Sequence, residues 1–267
     1  MATVKPVVLV IAGHDPVGGA GVQADIEAVA AQGCHAATAI TALTVQDTRN
    51  VSAFTVTDSA LLAAQLDAIL GDLRPAAVKI GMIGSADNAR VIAGALRRLP
   101  GVPVVLDPVL VAGGGGSLAL DDLQQAMTGE LFPLATIVTP NGPEAETLGG
   151  DGSPDAAARA MIAAGARCVL ITGGHESGTQ VVSRLYDSSG RVAEHASPRL
   201  PGDYHGSGCT LAATIAARLA QGAPVAQAVE GGLRYMEQAL RQALRPGRGQ
   251  AIPGRFFHLP ARQDTHD

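Results

Sequence analysis

Six stretches of the chain are almost continuously apolar: VVLVIAG (7–13), ATAITALTVQ (37–46), AVKIGM (77–82), VPVVLDPV (102–109), TIVTP (136–140) and CVLITGG (168–174). They do not alternate apolar with polar residues, as a strand with one wet face does, so they predict parallel strands covered on both sides. Ala/Leu-rich stretches lie between them, and helices are expected at 21–32, 58–71, 85–98, 119–130, 154–164, 206–220 and 224–244. That rhythm predicts an α/β fold built on a doubly wound, mostly parallel sheet. Residues 181–200 break the pattern: VVSRLYD and RVAEHASPRL flank SSG and alternate, which predicts a hairpin appended to the sheet. No linker or repeat divides the chain, so residues 1–267 read as one domain, with GGGG at 113–116 as a mobile loop.

The residues that could do chemistry are not scattered. Gly13, His14, Asp15, Gln46, Met82, Asp107 and Asn141 all close or follow the C-terminal end of an expected strand. Open α/β sheets bind ligands along that rim. Composition narrows the partners: a formal net charge of -5, 3% aromatics and no Trp offer neither a basic footprint nor a stacking platform for nucleic acid. No apolar run approaches the roughly 18 residues of a membrane span, and MATVKPVVLVIAGHD lacks a signal-peptide cleavage pattern, so a cytoplasmic protein is expected. Cys34, Cys168 and Cys209 are odd in number and lack metal-ligand spacing, which predicts free thiols.

Two glycine-rich turns carry the chemistry. In HGSGCT, Gly206, Ser207 and Gly208 can converge their amides on one point in front of a helix, an arrangement that holds phosphate; the same glycines would also permit a tight turn. Cys209 stands in the first helical turn, where the helix dipole favours thiolate, although free Cys is also a common small core residue. The other turn, AGHDPVGGAG (12–21), is not the dinucleotide fingerprint, because His, Asp, Pro and Val separate Gly13 from Gly18. In the helix after it, Asp25 shares a stripe with Val22, Ile26 and Val29, either to meet a ligand or to complement the helix N-terminus. Gln46 offers a donor and an acceptor to a heterocycle edge or to a turn, and the Met82 thioether suits an aromatic ring or the core. Asp107 in LDPV and Asn141 with Glu144 in TPNGPE form a sparse oxygen set of the kind Mg²⁺ accepts, while Asn-x-x-Glu is also a capping box.

Taken in order, IAGHDPVGGAGVQADI, ITALTVQDTRNV, VKIGMIG, LDPV, TPNGPEAETL, GGH and HGSGCT resemble the hydroxymethylpyrimidine/phosphomethylpyrimidine kinases of thiamine biosynthesis, in the ribokinase-like superfamily. The likeness spans about residues 7 to 245. It implies a three-layer α/β/α sandwich, a homodimer, and MgATP-dependent phosphorylation of a hydroxymethyl aminopyrimidine and then of its monophosphate. Carried onto matching positions, it implies that Gly13, Asp25, Gln46 and Met82 line the pyrimidine pocket and that Gly206, Ser207 and Gly208 form the anion hole. Asp107 and Glu144 would organise Mg²⁺ through water, and Asn141 and Thr172 would face ATP. Cys209 occupies the place of the aspartate base of ribokinase-like sugar kinases, so a thiolate near pH 7 is expected to accept the hydroxyl proton.

Three residues or segments depart from the family pattern: Thr172 where a lysine is frequent, LVAGGGGSL where a Lys/Ser-Gly-Asp loop is usual, and His14 where a small polar residue is commoner. The nearest alternative is a pyridoxine/pyridoxal kinase, against which Gln46 and Met82 in their contexts favour the pyrimidine. A pyrimidine-binding protein without transfer is the alternative of another class. An NAD-dependent oxidoreductase lacks its glycine fingerprint.

Overall fold

The computed structural model describes residues 5–110, 122–150, 152–174 and 177–259. The glycine run at 113–116, positions 119–121 of the helix expected at 119–130, and His175 of the GGH motif lie outside them. One nine-stranded sheet organises the described residues. Its strands are β1 (Val7–His14), β2 (His35–Gln46), β3 (Val51–Val56), β4 (Ala77–Ile80), β5 (Val104–Leu106), β6 (Ile137–Val138), β7 (Val169–Ile171), β8 (Gln180–Asp187) and β9 (Gly190–Pro198). They lie in the order β3-β2-β1-β4-β5-β6-β7-β8-β9. Across the sheet from β2 to β7 all neighbours are parallel, while β3, β8 and β9 pair antiparallel at the two edges.

The helices are α1 (Gly21–Ala31), α2 (Ser59–Asp72), α3 (Ala86–Leu96), α4 (Leu123–Ala126), α5 (Gly142–Gly149), α6 (Pro154–Ala163), α7 (Ser207–Ala220) and α8 (Val225–Arg241). Alternate residues of β1 explain how they divide into two layers. Leu9 and Ile11 face a core completed by Leu62 and Leu66 of α2, Ile92 of α3, Leu123 of α4, Ala145 of α5 and Ala158 of α6. Val8, Val10 and Ala12 face the opposite core, with Val29 of α1, Ile215 of α7 and Val229 of α8. Both faces being covered, no polar alternation was available to β1. This is the three-layer α/β/α sandwich. Helix α7 is buried from Thr210 through Ala217, which accounts for its alanines: small side chains let a helix sit close to the sheet with neighbours on every side. No described helix is long and apolar enough to cross a membrane.

Two elements were not expected. Strand β3 is short, and the link to it is closed by Asp47, whose Oδ1 accepts from Arg49 N (2.7 Å) and Asn50 N (3.0 Å). Helix α5 is only eight residues long and has little apolar periodicity; the capping box at its start was its one visible signal. The helix expected at 119–130 becomes the short α4, a π-helical turn (Met127–Leu131) and a 3₁₀ turn (Phe132–Leu134).

The chain leaves β1 toward β2 and returns to β4 on its other side, so the β1/β4 crevice is the topological switch point. Leu9 is fully buried in this central strand, and Leu9→Ala is expected to cost about 2–5 kcal/mol of unfolding free energy. A chemical-denaturation midpoint equal to that of the unsubstituted protein would contradict this packing.

Candidate active site

Above the carboxyl ends of the strands lies a cavity of ≈ 260 Å³. Gly13, His14, Gln46, Met82, Asp107, Asn141, Glu144, Thr172 and the run Gly206 to Cys209 all line it. Of the residues expected at the site, Asp25 alone does not.

Helices α1, α5 and α7 begin at this cavity. Helices α2, α3, α5 and α6 start on capping side chains, from Asp58, Ser85, Asn141 and Ser153; α1 and α7 at the cavity have none, nor do α4 and α8 away from it. First-turn amides left without a cap, at the positive end of the helix, favour an anion. The N-cap of α7 is Gly206, with φ 82°, and a Cβ there would run into the Gly19 carbonyl oxygen. Gly21, with φ 57°, packs in the same way against the Gly13 carbonyl. Only glycine meets both demands. Asp15 ties the two turns together: Oδ1 accepts from Val17 N (2.9 Å), while Oδ2 accepts from Ala20 N (2.8 Å) and pairs with His205 Nε2 (2.9 Å). Burial works against the Asp15 charge, but the bonds from His205, Val17 and Ala20 outweigh it and hold the carboxyl below its ordinary range.

At the β1/β4 end the wall is apolar. Met82 packs with Ala42, Val51, Phe54 and Val109, and its sulfur lies 3.0 Å from where a Cβ on Gly13 would stand. Gln46 Nε2 donates to Thr44 Oγ1 (2.7 Å), and that hydroxyl donates to the His14 carbonyl (2.8 Å), which fixes the carboxamide on the cavity wall. A flat ring with polar edges would find a thioether, two valines and one amide here.

Beneath the cavity sits a charged layer that the sequence did not announce. Lys79 of β4 is fully buried; its Nζ donates to Asp25 Oδ2 (2.8 Å) and lies 4.0 Å from Asp107 Oδ2. Asp25 therefore belongs to the floor and not to the lining. Ile26 turns outward at 42% exposure, so the buried face of α1 is Val22, Ala24, Asp25, Ala28 and Val29. Burial disfavours the Lys79 ammonium, but the carboxylates of Asp25 and Asp107 outweigh it and raise its pKa. Burial likewise pushes Asp25 up to about 6 against the pull of Lys79, so the pair is ionic at neutral pH. A lone lysine inside an apolar strand was the available signal, since a buried charge requires a partner.

Cys209 departs from expectation. It is only partly covered, yet burial around the thiol pushes it up to about 12; Lys79 and a Gly21 amide pull it down, and the carboxylates of Asp107 and Asp25 oppose them. The helix start does not prevail, and Cys209 is a neutral thiol near the Asp107 carboxylate. Glu144 forms the capping box: Glu144 N donates to Asn141 Oδ1 (2.9 Å), and Asn141 N donates to Glu144 Oε2 (2.9 Å). Burial, with Asp107 adding to it, raises the Glu144 carboxyl from 4.5 to about 8. Asp107 is raised by burial as well, and its Oδ2 has no hydrogen-bond partner among the described residues. No group of three or more described His, Cys, Asp or Glu could hold a metal ion.

A second cavity, of ≈ 410 Å³, lies among β8, β9, α8 and the start of α7. The two cavities share Thr172, Tyr204, Ser207, Gly208, Leu211 and Gln250. Two ligands would thus meet at the uncapped end of α7.

The family model for phosphomethylpyrimidine kinase matches residues 15–253. The chain belongs to the phosphomethylpyrimidine kinase family. It is 40% identical over 260 residues to the hydroxymethylpyrimidine/phosphomethylpyrimidine kinase of Rhizobium meliloti, a match covering 94% of this chain and 97% of that protein. Identity is 41% over 266 residues to the thiamine biosynthesis bifunctional protein ThiED of Geobacter sulfurreducens, covering 97% of this chain and 54% of that protein, so the chain spans about half the length of this relative. A solved ADP complex of Bacillus subtilis pyridoxal kinase is similar at 30% identity with a TM-score of 0.83, over 94% of this chain and 97% of that one.

In this phosphomethylpyrimidine kinase family member, the raised acids set a pH dependence. A carboxyl whose pKa is higher folded than unfolded contributes stability fully present below its unfolded pKa and lost as pH rises through the folded one. For Glu144 that window runs from 4.5 to about 8. The metal-free protein is expected to lose thermal stability across it, and Glu144→Gln, which cannot ionise, to lose less. Parallel melting-temperature profiles for the two proteins would contradict the assignment.

Proposed function

We propose that this chain transfers the γ-phosphoryl group of ATP to the hydroxymethyl oxygen of 4-amino-5-hydroxymethyl-2-methylpyrimidine, and then to its monophosphate, as a step of thiamine biosynthesis. The observation that carries the reading is the shared wall of the two cavities, formed by Ser207 and Gly208 at the start of α7. The acceptor occupies the side walled by Gly13, Gln46 and Met82, with Asp25 acting from the floor through Lys79. ATP occupies the side between the β8–β9 hairpin and α8, with Thr172 and Asn141 near its phosphates.

Phosphoryl transfer passes through a loose transition state and requires the protein mainly to position two oxygens in line and stabilise spreading charge. The amides of Gly206, Ser207 and Gly208 would receive that charge, already oriented before the reaction starts. No Lys or Arg is among the described residues lining the acceptor cavity, so the backbone carries a large share of the work. Asp107 and Glu144 fit a divalent cation: both carboxyls are raised in its absence, and one Asp107 oxygen has no partner, a conflict that a cation between them would relieve. Mg²⁺ held there through water would neutralise phosphate oxygens. A neutral Cys209 thiol near the Asp107 carboxylate does not serve as the base.

Pyridoxal phosphorylation is the second reading, favoured by the likeness to the B. subtilis enzyme and by a pocket that accepts a flat hydroxymethyl ring. A coupled ATP-consumption assay with products identified by mass separates the two. Conversion of the pyrimidine and of its monophosphate is expected; turnover of pyridoxal alone would overturn the pyrimidine assignment, and no turnover of any of the three would favour a binding protein. With the pyrimidine at saturation, Cys209→Ala is expected to lose less than the roughly 10²–10⁴-fold that removal of a general base costs. A larger loss, together with the disappearance of an ionisation from the pH–rate profile, would restore Cys209 as the proton acceptor.

A further inference from the structure

Arg255 lies beyond residue 253, where the match to the family model ends, and lines neither cavity, yet it is 2% exposed. Its backbone is fastened to α8: Tyr235 Oη donates to the Arg255 carbonyl, and Gly254 N donates to Ala239 O (2.9 Å). The guanidinium then directs its donors to the two loops that build the site. Nη1 donates to Gly18 O (3.2 Å) and Glu27 Oε2 (2.9 Å), Nη2 donates to Gly19 O, and Nε donates to Thr210 Oγ1 (2.9 Å). Thr210 Oγ1 in turn donates to Gly206 O (2.8 Å). The Gly19 carbonyl that Arg255 holds is the one against which Gly206 packs.

We infer that Arg255 is a positioning residue for phosphoryl transfer, fixing the Gly18–Gly19 acceptor loop against the anion-binding start of α7 through Thr210. A planar fork suits this role because it reaches four acceptors in set directions, which a lysine, with one nitrogen, does not. Asp15 and His205 close the opposite side of the same junction (2.9 Å), so the separation of the two loops is held from both ends. Arg255 touches no ligand-lining surface, and its loss therefore acts on alignment, not on binding.

The inference rests on the kinase reading, and the experiment keeps the two apart. Arg255→Met, Arg255→Lys and Thr210→Val are compared with the unsubstituted enzyme in steady-state kinetics, using whichever acceptor the latter phosphorylates. Because a misplacement of about 1 Å can cost about 100-fold, kcat of Arg255→Met is expected to fall by about that factor, with KM for ATP and acceptor changed less than about threefold. Arg255→Lys is expected to recover only part of the loss. Adding Thr210→Val to Arg255→Met is expected to cost little more than Arg255→Met alone, since the two act in one chain. Unchanged kcat, a loss confined to KM, or fully additive losses would overturn the inference. Hydrogen exchange is the second readout: amides of 18–21 and 206–210 should exchange faster in Arg255→Met than in the unsubstituted protein. Equal exchange there would overturn the inference even if the unsubstituted protein phosphorylates nothing, an outcome that would separately defeat the kinase reading. If Arg255→Met does not fold, Thr210→Val carries both measurements.

Discussion

The structure depends on one close approach: the Cα of Gly206 against the carbonyl of Gly19. No side chain fits between them, and the contact joins the turn after the first strand to the start of a helix almost 190 residues later. Everything that could bind phosphate or acceptor lies on the two sides of this junction. The Asp15–His205 pair and Arg255 hold it by polar bonds, because two apposed glycine turns have no side chains with which to hold themselves. Alanine-rich α7 lets the Gly206–Gly208 turn rest directly over the sheet, where bulkier residues would hold it away.

The electrostatics follow from where charge is and is not buried. Lys79 lies under the strand ends, and two aspartates lean on it from α1 and from the end of β5. Removing one partner from a buried pair of this kind costs several kcal/mol, about 3–5 in measured cases. The cavity above has no lysine or arginine in its described lining, so peptide dipoles at the helix starts are what it offers an anion there. Of the carboxyls that line it, Asp107 and Glu144 are held above their ordinary pKa by burial, whereas the bonds to Asp15 hold that one below. Burial, reinforced by the carboxylates of Asp107 and Asp25, keeps the Cys209 thiol neutral against the pull of Lys79 and of the Gly21 amide.

Much of this was legible in the sequence. Continuous apolar runs announced a sheet covered on both faces, and the polar residues at their ends marked the rim. The two glycine turns were visible, though each had a purely structural reading, and at Gly206 that structural reading holds, because the turn must be glycine in order to pack. Glu144 caps α5 while facing the cavity. What sequence could not supply were the long-range pairings. Asp25 looked like a pocket residue because its stripe was apolar, and only the fold reveals Lys79 as its partner. Arg255 stood in a stretch without motif or periodicity, and its contacts reach a loop more than 200 residues away. Strand β3 was hidden because a short edge strand needs little apolar content.

The most direct measurement is a crystal structure of the protein with the hydroxymethyl aminopyrimidine, Mg²⁺ and a non-hydrolysable ATP analogue bound together. The shared wall predicts the pyrimidine against Met82 and Gln46, the nucleotide between the β8–β9 hairpin and α8, and the terminal phosphate on the amides of Gly206 to Gly208. A terminal phosphate bound away from the start of α7, or both ligands competing for one cavity, would contradict it.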